Sequence, residues 1–497
     1  MDKGFYRKTI ILMIVVILCQ SINLLRDILM SRHFGTSSLN DIYLVSQTVV
    51  SVICAMVNSP MATAYLPVTT KYFTSCTKEV RNTFVSKVYT DVLILALLLC
   101  FIELIFVDGI ALISAPGFDE ESMGLLKKLI LIQIPITFIN IIKGVNRGNF
   151  QILQRFNISE ITMIFPYLCL CVYLVLPIRY DILTIGVILS LTTILSIVPE
   201  FVFLYREGFR YKFTWGVNAD IRTMVVLMLS AAVTTGIREV NVMFDKTIGS
   251  LLPEGSITML SYASKLTVVV VGLISTSVSL VGFSNAARYA NTDNREKVLE
   301  GISESSNLIN FLIIPVSVFL MFFSYDIIKL LYYGGNFSIE SVAETSTLMK
   351  LYAIGLIGYG FQDVFTRNLH AFKVVKYTMR ASLIMVVLNI IFNLMLYKII
   401  GAYGVAVATS ISLLLVIPFL GKKVKNVIGR YDSKDIFKQM TYFYVVSLII
   451  GTLLYFVNSM FELKDAFKLL VNAIIYFGLY FSWFIITKHK IIMQLKL

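Results

Sequence analysis

Charge is what this sequence has least of. Only 15% of its 497 residues are Asp, Glu, Lys or Arg, where a soluble domain carries about 25%. No stretch is polar enough to clothe a water-facing surface. Histidine is nearly missing: His33, His370 and His489 are scattered, so no metal ligand set is expected. The six cysteines, Cys19, Cys54, Cys76, Cys100, Cys169 and Cys171, lack zinc-type spacing. All but Cys76 fall in apolar runs, where a free thiol behaves as a small buried hydrophobe. There is no G-x-x-x-x-G-K-[ST], which excludes a P-loop ATP site. No large polar domain exists to hold the paired carboxylates of glycosyl transfer. No cofactor and no enzymatic chemistry are expected.

What the sequence has is apolar length: 57% of residues are hydrophobic. They come in blocks of roughly 18–25, enough to cross about 30 Å of hydrocarbon as helix. Lipid offers the backbone no hydrogen-bond partners, so a spanning segment is a helix or part of a closed barrel. Continuous rather than alternating apolar runs exclude the barrel. The expected fold is an all-α polytopic membrane protein. About fourteen spans are expected, near 9–31, 41–69, 86–107, 125–146, 157–177, 182–204, 222–246, 256–285, 306–325, 345–369, 378–398, 402–420, 438–457 and 466–487. Lys3, Arg7 and Lys8 precede an apolar run, as in a signal peptide, but no small-residue cleavage site follows. The run reads as the first span.

The net charge of +13 would suggest nucleic acid in a soluble protein. Here the cations collect in alternate short loops, so no nucleic acid is expected. One set holds Lys71, Lys78, Arg81 and Lys87; Lys143, Arg147 and Arg155; Arg206, Arg210 and Lys212; Lys373, Lys376 and Arg380; and Lys422 to Lys438. The opposite loops carry Asp108, Asp119, Glu120 and Glu121, or Asp326, Glu340 and Glu344. Basic loops stay cytoplasmic, so both termini are expected on the cytoplasmic side.

A repeat of about 219 residues is visible. Ala115-Pro116-Gly117-Phe118 leads to Glu121-Ser122, and Gly335-Asn336-Phe337 leads to Glu340-Ser341. Parallel repeats make two bundles facing each other across a central cavity. The expected divisions are 1–212 (spans one to six), 213–425 (spans seven to twelve) and 426–497, two further spans outside the repeat. Gly355, Gly358 and Gly360 are spaced for close helix packing.

Charges within spans are costly and mark function. Lys265 lies about nine residues into span eight, roughly 14 Å deep at 1.5 Å per residue. It either faces a wet cavity and an anion or pairs with a carboxylate such as Asp245. Arg26 and Arg238 are repeat mates, followed by Asp27 and Glu239. Neighbouring helical residues point about 100° apart, so neither pair is expected to neutralise itself. Both arginines could instead snorkel. Gln47, Ser51, Cys54, Asn58 and Ala62 make one face of span two. Lys265, Val269, Gly272, Thr276 and Ser279 make one face of span eight. Such stripes serve either a cavity wall or helix packing.

The chain resembles the MurJ/MviN family of bacterial lipid II flippases. Arg26-Asp27-Ile28-Leu29, Arg32-His33-Phe34-Gly35 and Asp41-Ile42-Tyr43 resemble that family's R-D-x-x-x-A-R-x-F-G…D-A-F. Ala64-Tyr65-Leu66-Pro67 is similar to A-F-V-P, and Ala115 to Phe118 match A-P-G-F. Ser261 to Leu266 are similar to Y-Y-A-D-R-L, Gly335 to Ser338 to G-x-F-T, and Tyr352 to Gly358 to Y-x-x-G-L-I-G. The resemblance implies fourteen helices and a cationic cavity for a pyrophosphate, with Arg26, Asp41 and Lys265 on functional positions. The chain departs from the family at Gln20 and near Ile53-Cys54, where basic residues are missing. Lys265 replaces an arginine and loses its bidentate fork.

Together these readings imply a flippase for an undecaprenyl-pyrophosphate-linked sugar precursor of the lipid II type. Arg26, Asp41, Lys265, Arg238 and Asn58 are its expected binding residues. The expected partners are the lipid-linked oligosaccharide, membrane lipid, and a coupling ion or the membrane potential. Two alternatives are a flippase for a surface-polysaccharide repeat unit and a cation-coupled multidrug exporter. The exporter needs acids deep in the bundle, whereas the deepest charge read here is a lysine.

Overall fold

The computed structural model describes residues 3–155, 157–177, 179–216, 218–269, 272, 274, 295–372, 374–458 and 465–495. Helix follows helix: α1 Lys3–Phe34, α2 Ser38–Thr74, α3 Lys78–Ile105, α4 Val107–Ser114, α5 Glu120–Ile152, α6 Asn157–Val175, α7 Ile182–Ser196, α8 Val198–Arg206 and α9 Ala219–Ser250. Helix α10 covers 256–269. Then come α11 Arg295–Tyr332, α12 Ile339–Ile354, α13 Leu356–Ala371, α14 Val375–Ile400, α15 Ala402–Val427, α16 Ser433–Asn458, α17 Asp465–Ile486 and α18 Lys490–Leu495. Among the described residues the only β pairing is an isolated bridge, Gly334 to Phe337.

Helix starts are fixed by caps, which satisfy N–H groups left open in the first turn. Thr77 caps α3, Asn218 caps α9 and Asp119 caps α5. Ser338, 219 positions after Asp119, caps α12 in the same way, accepting from Ser341 as Asp119 accepts from Ser122. The starts of α5 and α12 (120 and 339) and of α7 and α15 (182 and 402) keep nearly the same offset. The repeat read from two short motifs thus extends to helix boundaries.

Among the described residues, twelve helical stretches are long and apolar enough to span a membrane. Two of the fourteen expected spans are not among them. The segment 256–285 runs out of the described residues after α10. The segment 345–369 is divided at Gly355 into α12 and α13, each of 16 residues. Gly355 is where α12/α13 crosses α15: a Cβ there would lie 2.9 Å from Ser410 Cα, and one on Gly358 2.8 Å from Leu413 Cβ. Both glycines allow close packing, as their spacing suggests.

The chain forms two compact units, Met1–Ile257 and Thr258–Leu497. In the first, α2 is central and packs along both α5 and α9, with α1 against α6 and α5 against α7. In the second, α11 is central and meets α12, α13, α16 and α17. Helices α16 and α17 join α11 through rings: Phe311 contacts Phe443, Tyr480 and Phe484 at 5.3–5.5 Å. Tyr480 also donates to the Phe311 carbonyl at 3.0 Å.

Candidate functional site

Helix α1 carries Arg26 eight residues before its end. The guanidinium is buried. Its Nε and Nη2 donate to Asp27 Oδ1 at 3.0 and 2.7 Å, and its face lies over the Tyr167 ring, 4.6 Å from the centroid. Arg238 and Glu239 on α9 approach to 3.6 Å. Both arginines therefore pair with the next residue, contrary to the expectation from helical geometry. The reason is side-chain length: a four-bond stem folds back across the 100° that separates neighbours. The pairs differ in setting, since the Arg238 side chain is 69% exposed and that of Arg26 10%.

Asp41 stands in the first turn of α2 and is buried. Its Oδ2 accepts from Gly255 N at 2.8 Å. Next to it Glu254 Oε1 accepts from Ser38 N and Oγ at 2.6 and 2.7 Å. A carboxylate at a helix N-terminus meets open N–H groups and the positive end of the dipole, and these bonds hold the Glu254 carboxyl below the usual carboxylate range. Gly255 has φ +82°, and a Cβ there would sit 2.3 Å from the Thr36 carbonyl oxygen. Gly117 likewise presses on the Ser250 carbonyl, donating its N–H to Ser250 Oγ at 3.2 Å. Segments 35–41, 115–118 and 250–255 thus form one knot at this end of the first unit.

Asn58 faces α5. Its Nδ2 donates to the Asn140 carbonyl at 3.1 Å, and a Cβ at Gly144 would fall 2.2 Å from its Oδ1. Cys54 also contacts α5, at the Thr137 carbonyl. In span two Cys54 and Asn58 thus contact α5, while Ser51 and Ala62 are exposed. Lys265 lies in the second unit, half-buried, ten residues into α10 beside Tyr262, whose ring stacks on Tyr332 at 4.5 Å. Of the matching stripe in span eight, Thr276 and Ser279 lie outside the described residues.

Three buried charges of the first unit, Lys143, Glu200 and Glu103, lie outside the expected site residues. Lys143, taken as a loop cation, is buried inside α5. It donates to Ser196 Oγ at 2.6 Å and stands 3.9 Å from Glu200 Oε1. Glu200, fully buried on α8, also accepts from Asn146 Nδ2 at 2.6 Å and from the Thr162 hydroxyl. The chain of polar groups continues through Tyr89 and Asn149 to Tyr65. Lys143 also lines a cavity of about 50 Å³ with Gln47, Asn140, Tyr167 and Thr193, a volume for a few waters and far too small for a glycan. Glu103 on α3 is buried too, accepting from Thr137 Oγ1 at 3.2 Å. Acids as well as a lysine are therefore buried in the first unit. The signal was available: each is an ionisable residue inside an apolar run.

A family match, described as lipid II flippase MurJ, spans residues 30–475. The chain belongs to the MurJ family. A Thermotoga maritima relative named probable lipid II flippase MurJ is 28% identical, over 91% of each chain. One from Buchnera aphidicola with the same name is 25% identical, over 94% of this chain and 93% of its own. A solved MurJ structure, lipid II flippase in an inward closed conformation, matches with TM-score 0.83 at 24% identity, covering 97% of this chain and all of the other. An inward-facing MATE-family multidrug resistance transporter of the MOP superfamily matches with TM-score 0.69 at 14% identity, over 82% of this chain and 94% of its own. These two likenesses concern the fold. Of the residues that carry the resemblance, Arg26 and Asp27 form a buried ion pair, and Asp41 and Gly117 lie in the knot.

Proposed function

We propose that this chain carries lipid II, an undecaprenyl-pyrophosphate-linked precursor of peptidoglycan, from the inner to the outer leaflet of the bacterial cytoplasmic membrane. The observation that carries this reading is membership of the MurJ family over residues 30–475; relatives over nearly the whole length are named for that activity. The two repeats, 1–212 and 213–425, act as the two moving halves, and spans in 426–497 give the polyprenyl tail an apolar path. Both termini face the cytoplasm.

In this reading Lys265 binds the pyrophosphate. A cation within a span costs about 2.5–3.5 kcal/mol even on insertion scales, and a wet cavity with an arriving diphosphate offsets that cost. Arg26 would exchange Asp27 for the phosphate, replacing one charge-assisted contact by another, while Arg238 and Asn58 border the path. Asp41 would help tune or release the phosphate. An ion gradient or the membrane potential supplies direction.

The test is head-group translocation in proteoliposomes. Lys265→Gln is expected to keep its melting temperature and lose translocation. Unchanged translocation refutes the binding role; lost folding favours a structural ion pair. A surface-polysaccharide lipid shares the pyrophosphate, so offering it to the same proteoliposomes separates the two substrates.

A further inference from the structure

The segment that leads from α8 to α9 is not helical, and its sequence alternates. Phe209, Tyr211, Phe213 and Trp215 interleave with Arg210, Lys212 and Thr214. In extended chain a period of two puts the rings on one edge and the cations on the other. The segment is pinned rather than loose. Asn82 Nδ2 donates to the Gly208 carbonyl at 3.0 Å, Lys212 N donates to Ser86 Oγ at 3.1 Å, and the Tyr211 hydroxyl lies 3.1 Å from Thr90 Oγ1. It therefore runs along the first turns of α3. Phe209 packs into the apolar core there, but Phe213 and Trp215 remain 70% exposed. Arg210 is held over the Tyr205 ring, 3.3 Å from its centroid.

We propose that this ribbon is an interfacial anchor that binds anionic phospholipid. The exposed rings enter the boundary between head groups and acyl chains, and Arg210, Lys212 and neighbouring Lys87 bind the phosphates. Aromatic rings with one polar edge favour that depth, and juxtamembrane cations favour an anionic leaflet. Arg210 and Lys212 outnumber the one acid of the ribbon, Glu207, and the Lys87 ammonium lies beside Gly216. Both tryptophans of the chain, Trp215 and Trp483, lie near basic termini of spans, as an aromatic belt requires. The ribbon joins the two sequence repeats, so its lipid would bear on that connection.

The chain's two tryptophans make the test direct. Trp483→Phe leaves Trp215 as sole reporter in the full-length protein. It is reconstituted in phosphatidylcholine vesicles with and without phosphatidylglycerol, with bromine placed near the head-group end or the far end of the acyl chains. The expected result is a blue-shifted emission, quenched more by shallow than by deep bromine, with quenching strengthened by phosphatidylglycerol. Adding Arg210→Gln and Lys212→Gln should abolish the phosphatidylglycerol dependence at unchanged melting temperature. Emission quenched by aqueous acrylamide but not by bromine would overturn the anchor. Bromine quenching indifferent to phosphatidylglycerol would overturn the anionic partner, as would shielding from both quenchers, which would indicate a protein contact. None of these outcomes depends on whether the protein moves lipid II.

Discussion

Lys143 and Glu200 illustrate how a single residue pair is stabilised away from water. Two buried charges 3.9 Å apart gain Coulomb energy but lose hydration, so a pair is retained only when hydrogen bonds satisfy both ends. Here Ser196 Oγ accepts a hydrogen bond from Lys143, and Asn146 and Thr162 donate to Glu200. Glu200→Gln keeps the shape and leaves the ammonium unpaired, so a loss of about 3–5 kcal/mol is expected. Lys143→Met should do the same from the other side. The double variant should lose less than the sum of the two, read as melting temperatures in one detergent. A pair that mattered little would give additive, small shifts.

Glu254 is the opposite case, an exposed carboxylate. Its pKa is lowered by the Ser38 donors, so its contribution is present above the unfolded value, ordinarily about 4.3, and disappears as pH falls through the folded value. Solvent limits it to roughly 1 kcal/mol or less. Glu254→Gln should therefore melt slightly lower than the parent at neutral pH and converge with it below about pH 4. A constant difference across that range would show that the charge is not what holds Ser38.

At the scale of elements, close approach decides which helices can meet. Gly255 combines φ +82° with a neighbouring carbonyl that leaves no room for a methyl group. A left-handed L-residue costs about 1–2 kcal/mol before any clash. Gly255→Ala should unseat the 250–255 turn from α2, lowering the melting temperature and raising hydrogen exchange at residues 35–41. Gly109, with open space where its Cβ would be, is the control: Gly109→Ala should leave both readings unchanged.

For the whole molecule the testable property is topology. Loop charge and an even span count predict 120 and 340 outside and 425 inside. Reporter fusions after residues 120 and 340 should be active only outside the cell, and one after 425 only inside. An inside reading at 340 would reverse the second repeat and with it the parallel arrangement.

The sequence by itself determined the helical class, most of the spans, the repeat and the family resemblance. Each depends on one-dimensional quantities: the length of an apolar run against bilayer thickness, the sign of short loops and the order of motifs. The caps at Asp119 and Ser338 show how far this reaches, since an N-cap acts on the next three residues. What only the tertiary structure decided was partnership. Arg26 reaching back to Asp27, Asn58 turning to α5, and Glu254 of one repeat capping a helix of the other join groups by folded side chains or across 80 to 216 positions. Lys143 read as a loop cation because it sits near the end of an apolar run. Burial depends instead on which helices surround that end, and packing of α5, α6, α7 and α8 supplied its Ser196 and Glu200 partners.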